Sequence, residues 1–188
     1  MFEDFKQKDS IVVVYTGDNK GKTSASIGLM CRALGRGWRV AYIQFIKNWE
    51  VGEHNFIHTI QPLYGDSLYF YKGGRGFYDA AGLSAKDVSA ADHKQAASET
   101  LDEAIKAINS GDFDLVICDE INNALSDGLI TKTAFKRLLT DRPPTVSLCF
   151  TGRNYPTDLL GYADIATEMK KLKHHFDDKF IAKKGIDY

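Results

Sequence analysis

The chain carries almost no net charge, has few cysteines and contains no apolar run long enough to span a membrane; each of these absences removes a class of protein. With 24 lysines and arginines against 25 aspartates and glutamates, the formal charge is −1, so there is no basic footprint for nucleic acid. No stretch approaches the ~20 apolar residues of a membrane span. The N-terminus, Met1-Phe2-Glu3-Asp4-Phe5-Lys6, lacks the apolar core of a signal peptide, so a cytoplasmic location without a membrane partner is expected. The three cysteines, Cys31, Cys118 and Cys149, are widely separated and show no CxxC spacing, which argues against a disulfide framework or a zinc knuckle. Each lies in an apolar element and is read as a small buried hydrophobe. His93, His174 and His175 have no HExxH, His-x-His or Cys/His companions, so they are read as solvated or locally bonded rather than as metal ligands. Repeats and low-complexity tracts are missing as well.

What is present is an ordinary globular composition: 188 residues, 44% hydrophobic and 26% charged, enough for one domain over residues 1–188 with a sizeable core. Apolar runs alternate with helical patterns. Strands are expected at 11–16, 39–45, 68–71, 115–119, 145–151 and 165–169, and helices at 22–35, 85–110, 131–139 and 157–162. Unbroken runs such as Ile11-Val12-Val13-Val14 and Leu115-Val116-Ile117 suit strands buried on both faces, hence a mostly parallel central sheet flanked by helices. Residues 47–83, rich in glycine and aromatics, are the least regular. In a doubly wound α/β sheet ligands bind at the carboxyl ends of the strands, so the residues just after each apolar run hold the chemistry.

After the first run comes Gly17-Asp18-Asn19-Lys20-Gly21-Lys22-Thr23-Ser24, followed by helical spacing of apolar residues. Strand, glycine turn and helix form a phosphate cradle: backbone N–H groups and the positive helix end hold an anion. In such a loop Lys22 places an ammonium on the phosphates and the Thr23 hydroxyl stands where a Mg²⁺ ligand is needed. The usual loop has four residues between its first glycine and Gly-Lys, whereas this one has three, a tighter cradle in which the standard nucleotide orientation need not hold.

Three more clusters close strands. Gln44, Lys47, Trp49 and Glu53 follow the second run. Asp119-Glu120 ends the 115–119 strand; it is either the carboxylate site that holds Mg²⁺ opposite the loop threonine or a solvated turn. Thr151-Gly152-Arg153 ends another, with Arg153 either forked onto phosphate oxygens or in a structural ion pair. Arg32, on the first helix, reads on spacing alone as a surface arginine. Gly73-Gly74-Arg75-Gly76-Phe77-Tyr78 opens no helix; it is either a mobile loop presenting flat side chains to a flat ligand or a surface turn with a buried phenylalanine.

Together these motifs resemble the phosphate-loop type of ATP:corrinoid adenosyltransferase, the cob(I)alamin adenosyltransferases. The resemblance covers nearly the whole chain: the short loop 17–23, Val40-Ala-Tyr-Ile-Gln-Phe-Ile-Lys47, Gly52-Glu53 with Asn55, Gly76-Phe77, Asp119-Glu120, Thr151-Gly152-Arg153, Ala163-Asp164, Lys173-His174-x-Phe176-Asp177 and Gly185-Ile186-Asp187-Tyr188. It implies a P-loop (RecA-like) nucleotide-binding fold and a reaction in which a reduced corrinoid attacks the ribose 5′-carbon of ATP, bound reversed in the loop, and triphosphate leaves.

By the same resemblance Gly17, Asp18, Asn19, Lys20, Gly21, Lys22, Thr23 and Ser24 frame the triphosphate, and Thr23 and Glu120 ligate Mg²⁺. Arg32 contacts the nucleoside end, Arg153 a phosphate, and Gln44, Phe77 and Tyr78 the corrinoid. Lys22 and Phe77 are the implied catalytic residues, with Phe77 part of an aromatic wedge that displaces the lower cobalt ligand. A reduced flavoprotein donor and a homodimer are implied too. Two departures stand out. Tyr78-Asp79 replaces the family's Thr-Trp after Gly-Phe, and Asp18-Asn19 replaces the commoner Asn-Gly in the loop. A nucleoside kinase using the same loop, or a non-catalytic ATP- or corrinoid-binding paralogue, are the alternative readings.

Overall fold

The β-branched runs do become buried strands. The computed structural model describes residues 4–76, 78 and 88–188, and in it the strands are β1 Val12–Thr16, β2 Val40–Gln44, β3 Leu68–Lys72, β4 Leu115–Asp119, β5 Ser147–Thr151 and β6 Ile165–Glu168. They form one sheet in the order β3-β2-β4-β5-β1-β6, and every pairing is parallel. This is an α/β sheet of the phosphate-loop type, in which β5 separates the glycine-loop strand β1 from the acidic strand β4.

The period-2 alternation of the strands divides the core into two layers. Val13, Val40, Tyr42, Leu115, Ile117 and Cys149 face one side, under Met30, Ala33 and Leu34 of helix α1 (Lys22–Leu34) and Ile57 of α2 (Gly52–Tyr64). Val12, Val14, Ala41, Ile43, Val116, Cys118, Leu148 and Phe150 face the other. That side is covered by α3 (Ala90–Asn109), α4 (Ile121–Ser126) and α5 (Lys132–Thr140). The fully buried aliphatic side chains each contribute about 1.5–3 kcal/mol of transfer free energy, which is why the four inner strands can have almost no polar residues except at their carboxyl ends. No helix among the described residues is long and apolar enough to cross a membrane.

Several boundaries differ from the sequence expectation. The long helix starts at Ala90, where a reciprocal cap fixes it: Asp92 N–H donates to the Ser89 hydroxyl at 3.1 Å and Ser89 N–H to the Asp92 carboxylate at 2.9 Å. Residues 85–87, expected to be its first turn, lie outside the described residues. Residues 157–162 form a 3₁₀ rather than an α-helix. Helix α2 was not expected, because residues 47–83 read as the least regular stretch; Pro62 falls in its last turn, and His54 and Ile57 bury its inner face. Cys118 and Cys149 are buried, but Cys31 is exposed. It lies off the stripe of Ser26, Met30, Ala33 and Leu34 that α1 turns inward. His93 is buried on α3 with its ring edge-on to Tyr78 at 5.4 Å, whereas His174 is locally bonded, accepting from Phe176 N–H at 3.1 Å.

Candidate nucleotide and metal site

The glycine turn is shaped by two left-handed glycines, Gly17 at φ 103° and Gly21 at φ 108°, a region that favours glycine. At Gly17 space is also decisive: a Cβ would lie 2.5 Å from the Met169 carbonyl oxygen and 2.7 Å from its nitrogen. Inside the turn Lys22 is buried, and its ammonium donates to the Gly17 and Asn19 carbonyls at 2.7 and 2.6 Å. Burial lowers its pKa, while Glu120, Asp18 and Asp119 pull the other way.

Three strand ends meet beside the loop, and Asp119 is their hub. Its side chain is fully buried. It accepts from Gln44 Nε2 at 2.8 Å, Thr151 Oγ1 at 2.7 Å and the loop hydroxyl Thr23 Oγ1 at 3.2 Å. Lys47 completes the cluster: its ammonium donates to Thr23 Oγ1 at 3.2 Å and Glu53 Oε1 at 3.1 Å, and lies 3.5 Å from Asp119 Oδ2. Burial by itself would lower the Lys47 pKa, but Asp119, Glu120 and Glu53 together leave it above the ordinary lysine value.

Glu120 is half-buried at φ 63° and caps α4; its backbone N–H donates to Thr151 Oγ1 at 2.9 Å and its carboxylate accepts from Asn123 Nδ2. Burial and the neighbouring Asp119 raise its pKa.

The expected corrinoid residue Gln44 is placed otherwise. It is fully buried, with its amide nitrogen on Asp119 and its oxygen accepting from His54 Nε2. A side chain with both ends engaged supports the acidic cluster from within and presents no free group to a ring-shaped ligand. That bond also fixes the His54 tautomer, since Gln44 Oε1 can only accept. Burial, with Lys72, Lys47 and His58 nearby, pushes the His54 pKa down to about 4, so this donor stays neutral.

Asp18, Lys20 and Ser24 are exposed along the loop. Arg153 is exposed; its backbone N–H donates to Asn123 Oδ1 at 2.6 Å, and its charge is felt by both Lys22 and Glu120. Arg32 is exposed on α1, and its charge reaches Tyr15 rather than the loop lysine. Tyr78 is half-buried against the α3 side of the core, whereas Phe77 and Asp79 lie outside the described residues. Of the glycine run, residues 73–76 are pinned rather than free: Gly73 N–H donates to Gln44 O at 3.0 Å and Gly76 N–H to Ile46 O at 2.7 Å.

A feature with no local sequence signal is the strap formed by the last twenty residues. Asn19 N–H donates to Met169 O at 3.3 Å, and the Lys20 ammonium pairs with Asp187 at 2.8 Å. Backbone N–H of Lys183, then Lys20, hold Asp187 down to about 2, so on the acid side this latch opens only as pH falls toward that value. Asp187→Asn frees Lys20 for phosphate and is expected to tighten ATP binding about threefold, read by fluorescence titration. Weaker binding would mean that the strap supports the loop instead of restraining it.

Glycine loop, acidic strand end and parallel sheet define a phosphate-loop nucleotide-binding protein. Within that class, the sequence model of the family described as ATP:corrinoid adenosyltransferase BtuR/CobO/CobP matches residues 8–188, and the chain belongs to this family. A corrinoid adenosyltransferase of Sinorhizobium sp is 32% identical over 180 residues, covering 95% of this chain and 80% of its own length. One from Escherichia coli (strain K12) is 30% identical over 179 residues, covering 95% and 85%. Corrinoid adenosyltransferase CobA of Salmonella typhimurium is 29% identical over 185 residues, covering 97% and 88%.

Proposed function

We propose that this protein, as one adenosyltransferase domain, moves the 5′-deoxyadenosyl group of ATP onto the cobalt of a reduced corrinoid and releases triphosphate. The observation that carries the reading is the meeting of the short glycine loop with the Asp119-Glu120 strand end, linked by the Thr23–Asp119 bond at 3.2 Å, in a chain of this family. The cobalt(I) electron pair forms the cobalt–carbon bond at the ribose 5′-carbon. The carbon–oxygen bond breaks, and its electrons leave on triphosphate.

The chain's residues serve the leaving group. Lys22 and the N–H groups of residues 17–24 meet negative charge as it develops, a preorganised electrostatic contribution of the kind that dominates many enzymes. Asn19 and Lys20 extend this cradle, Arg153 lies close enough to add charge, and Arg32 marks the nucleoside end. Thr23 and Glu120 would hold Mg²⁺, and the donor set fits: oxygen ligands are what this ion prefers, with substrate phosphates completing its shell. Burial first, and then the neighbouring Asp119, raise the Glu120 pKa, and a divalent cation would offset both by favouring the charged carboxylate. Bound there, the ion would neutralise charge on the departing triphosphate.

Phe77 and Tyr78 are the corrinoid-side residues, with the Tyr78 ring braced edge-on by His93. A reduced flavoprotein as electron donor, a homodimer and a cytoplasmic location complete the proposal. Phe77→Ala is expected to lose adenosylation that starts from cob(II)alamin and a reductant while keeping most of the rate from chemically reduced cob(I)alamin. Equal loss of both rates would remove Phe77 from the wedge.

A further inference from the structure

Neither the phosphate cradle nor the metal pair uses Lys47, the ammonium that faces Thr23, Glu53 and Asp119. Its placement is built in. Ile46 is held in the left-handed region at φ 65°, which for a β-branched residue persists only where the surroundings impose it. Lys47 N–H closes a tight turn onto Phe45 O at 2.7 Å, and Gly76 N–H clamps the Ile46 carbonyl at 2.7 Å. Gly74 packs so closely that a Cβ there would lie 2.1 Å from the Ile46 carbonyl carbon. This backbone delivers the ammonium to Thr23, Asp119 and Glu53 with its side chain only 14% exposed.

We infer that the Lys47 ammonium is the protein's own occupant of the cation position at the phosphate loop, so that a divalent ion enters together with nucleotide and not ahead of it. The inference rests on the metal reading of Thr23 and Glu120. Thr23 Oγ1 donates its one proton to Asp119 and accepts from Lys47, which engages the hydroxyl that a metal would need. Asp119 Oδ2 is likewise shared by Gln44, Thr23 and Lys47.

A divalent ion among these oxygens would lie a few ångströms from an ammonium in a partly buried site, where like charges repel strongly. Lys47 must therefore withdraw, and its flexible stem allows that. The exchange adds positive charge to the cluster and frees an ammonium, a balance that triphosphate oxygens supply and water does not. Loop, ion and lysine then form one charge-exchange unit, gated by the nucleotide.

The test is a Mn²⁺ titration of nucleotide-free protein, followed by electron paramagnetic resonance, on the wild type, Lys47→Gln and Lys47→Arg. Glutamine can still hydrogen-bond Asp119, and far-UV circular dichroism checks the fold. Lys47→Gln should bind Mn²⁺ about tenfold more tightly than the wild type or more. Lys47→Arg, which keeps the charge, should match the wild type, and adding Thr23→Val to Lys47→Gln should abolish the gain. Equal Mn²⁺ affinity in wild type and Lys47→Gln would overturn the inference. Should Lys47→Gln not fold, the wild type decides by thermal melting. Mn²⁺ alone should leave the melting temperature unchanged and Mn²⁺ with ATP should raise it; a rise with Mn²⁺ alone would overturn the inference. Adenosyl transfer by the wild type is scored separately, so a failure of the corrinoid reading leaves the Mn²⁺ comparison standing.

Discussion

Replacing Lys22 by alanine is expected to slow adenosyl transfer by about 10³-fold, the upper range for loss of one preorganised donor to developing negative charge. The loop invests in this residue. Lys22 is buried, and two carbonyls, at Gly17 and Asn19, hold its ammonium inside the turn. Burial works against the charge and the nearby carboxylates sustain it. On phosphate arrival the ammonium exchanges two neutral acceptors for charged ones, which adds a direct charge–charge attraction to bonds already charge-assisted on the donor side. The loss should therefore fall on the rate and on ATP affinity together, with melting behaviour little changed. Lys22→Ala retaining a tenth or more of the wild-type rate would take the lysine out of the mechanism.

The second large effect is on stability. Asp119→Ala is expected to destabilise the fold by about 3–5 kcal/mol, because three buried or half-buried donors lose one shared charged acceptor and each unsatisfied group costs about 1–3 kcal/mol. Asp119 is fully buried and accepts from Gln44, Thr23 and Thr151 while facing Lys47. Its loss strands donors from β2, α1 and β5 at once and leaves Glu53 as the carboxylate beside the Lys47 ammonium. Chemical denaturation measures this. A change below about 1 kcal/mol, the net worth of an ordinary hydrogen bond, would mean that the cluster relaxes freely and that Asp119 does not organise it.

Much of this architecture was legible beforehand, for identifiable reasons. Strands show as short apolar runs, continuous where both faces are buried, and these runs located all six strands to within one residue of the observed ends, apart from a two-residue overrun at residue 145. The phosphate loop announces itself because glycine, lysine and threonine at fixed offsets answer a backbone requirement, seen here as positive φ at Gly17 and Gly21.

Other features depend on contacts distant in the chain. Helix α2 was hidden in the stretch 47–83, whose glycines and aromatics read as irregular. Helix α4 follows Glu120 with no linker, through a left-handed residue that propensity does not reveal. Gln44 is polar at a strand end and so reads as a ligand-binding residue. Only the packing of His54 onto its oxygen shows that its amide serves Asp119. Lys47 was marked by its position after β2 and by closing the Val40–Lys47 stretch of the resemblance, neither of which gives it a role, and the turn that brings it toward Thr23 is clamped by Gly74 and Gly76. The strap over the loop joins residues 19–20 to residues 169–187, a separation at which no local pattern operates.

The most direct test of the central claim is a product balance. Purified protein would be given Mg²⁺, ATP and chemically reduced cob(I)alamin, with the corrinoid spectrum and the phosphate products followed in one reaction. Adenosylcobalamin appearing one-for-one with inorganic triphosphate is the predicted result. ATP consumed to ADP, or ATP bound with no change at cobalt, would contradict it.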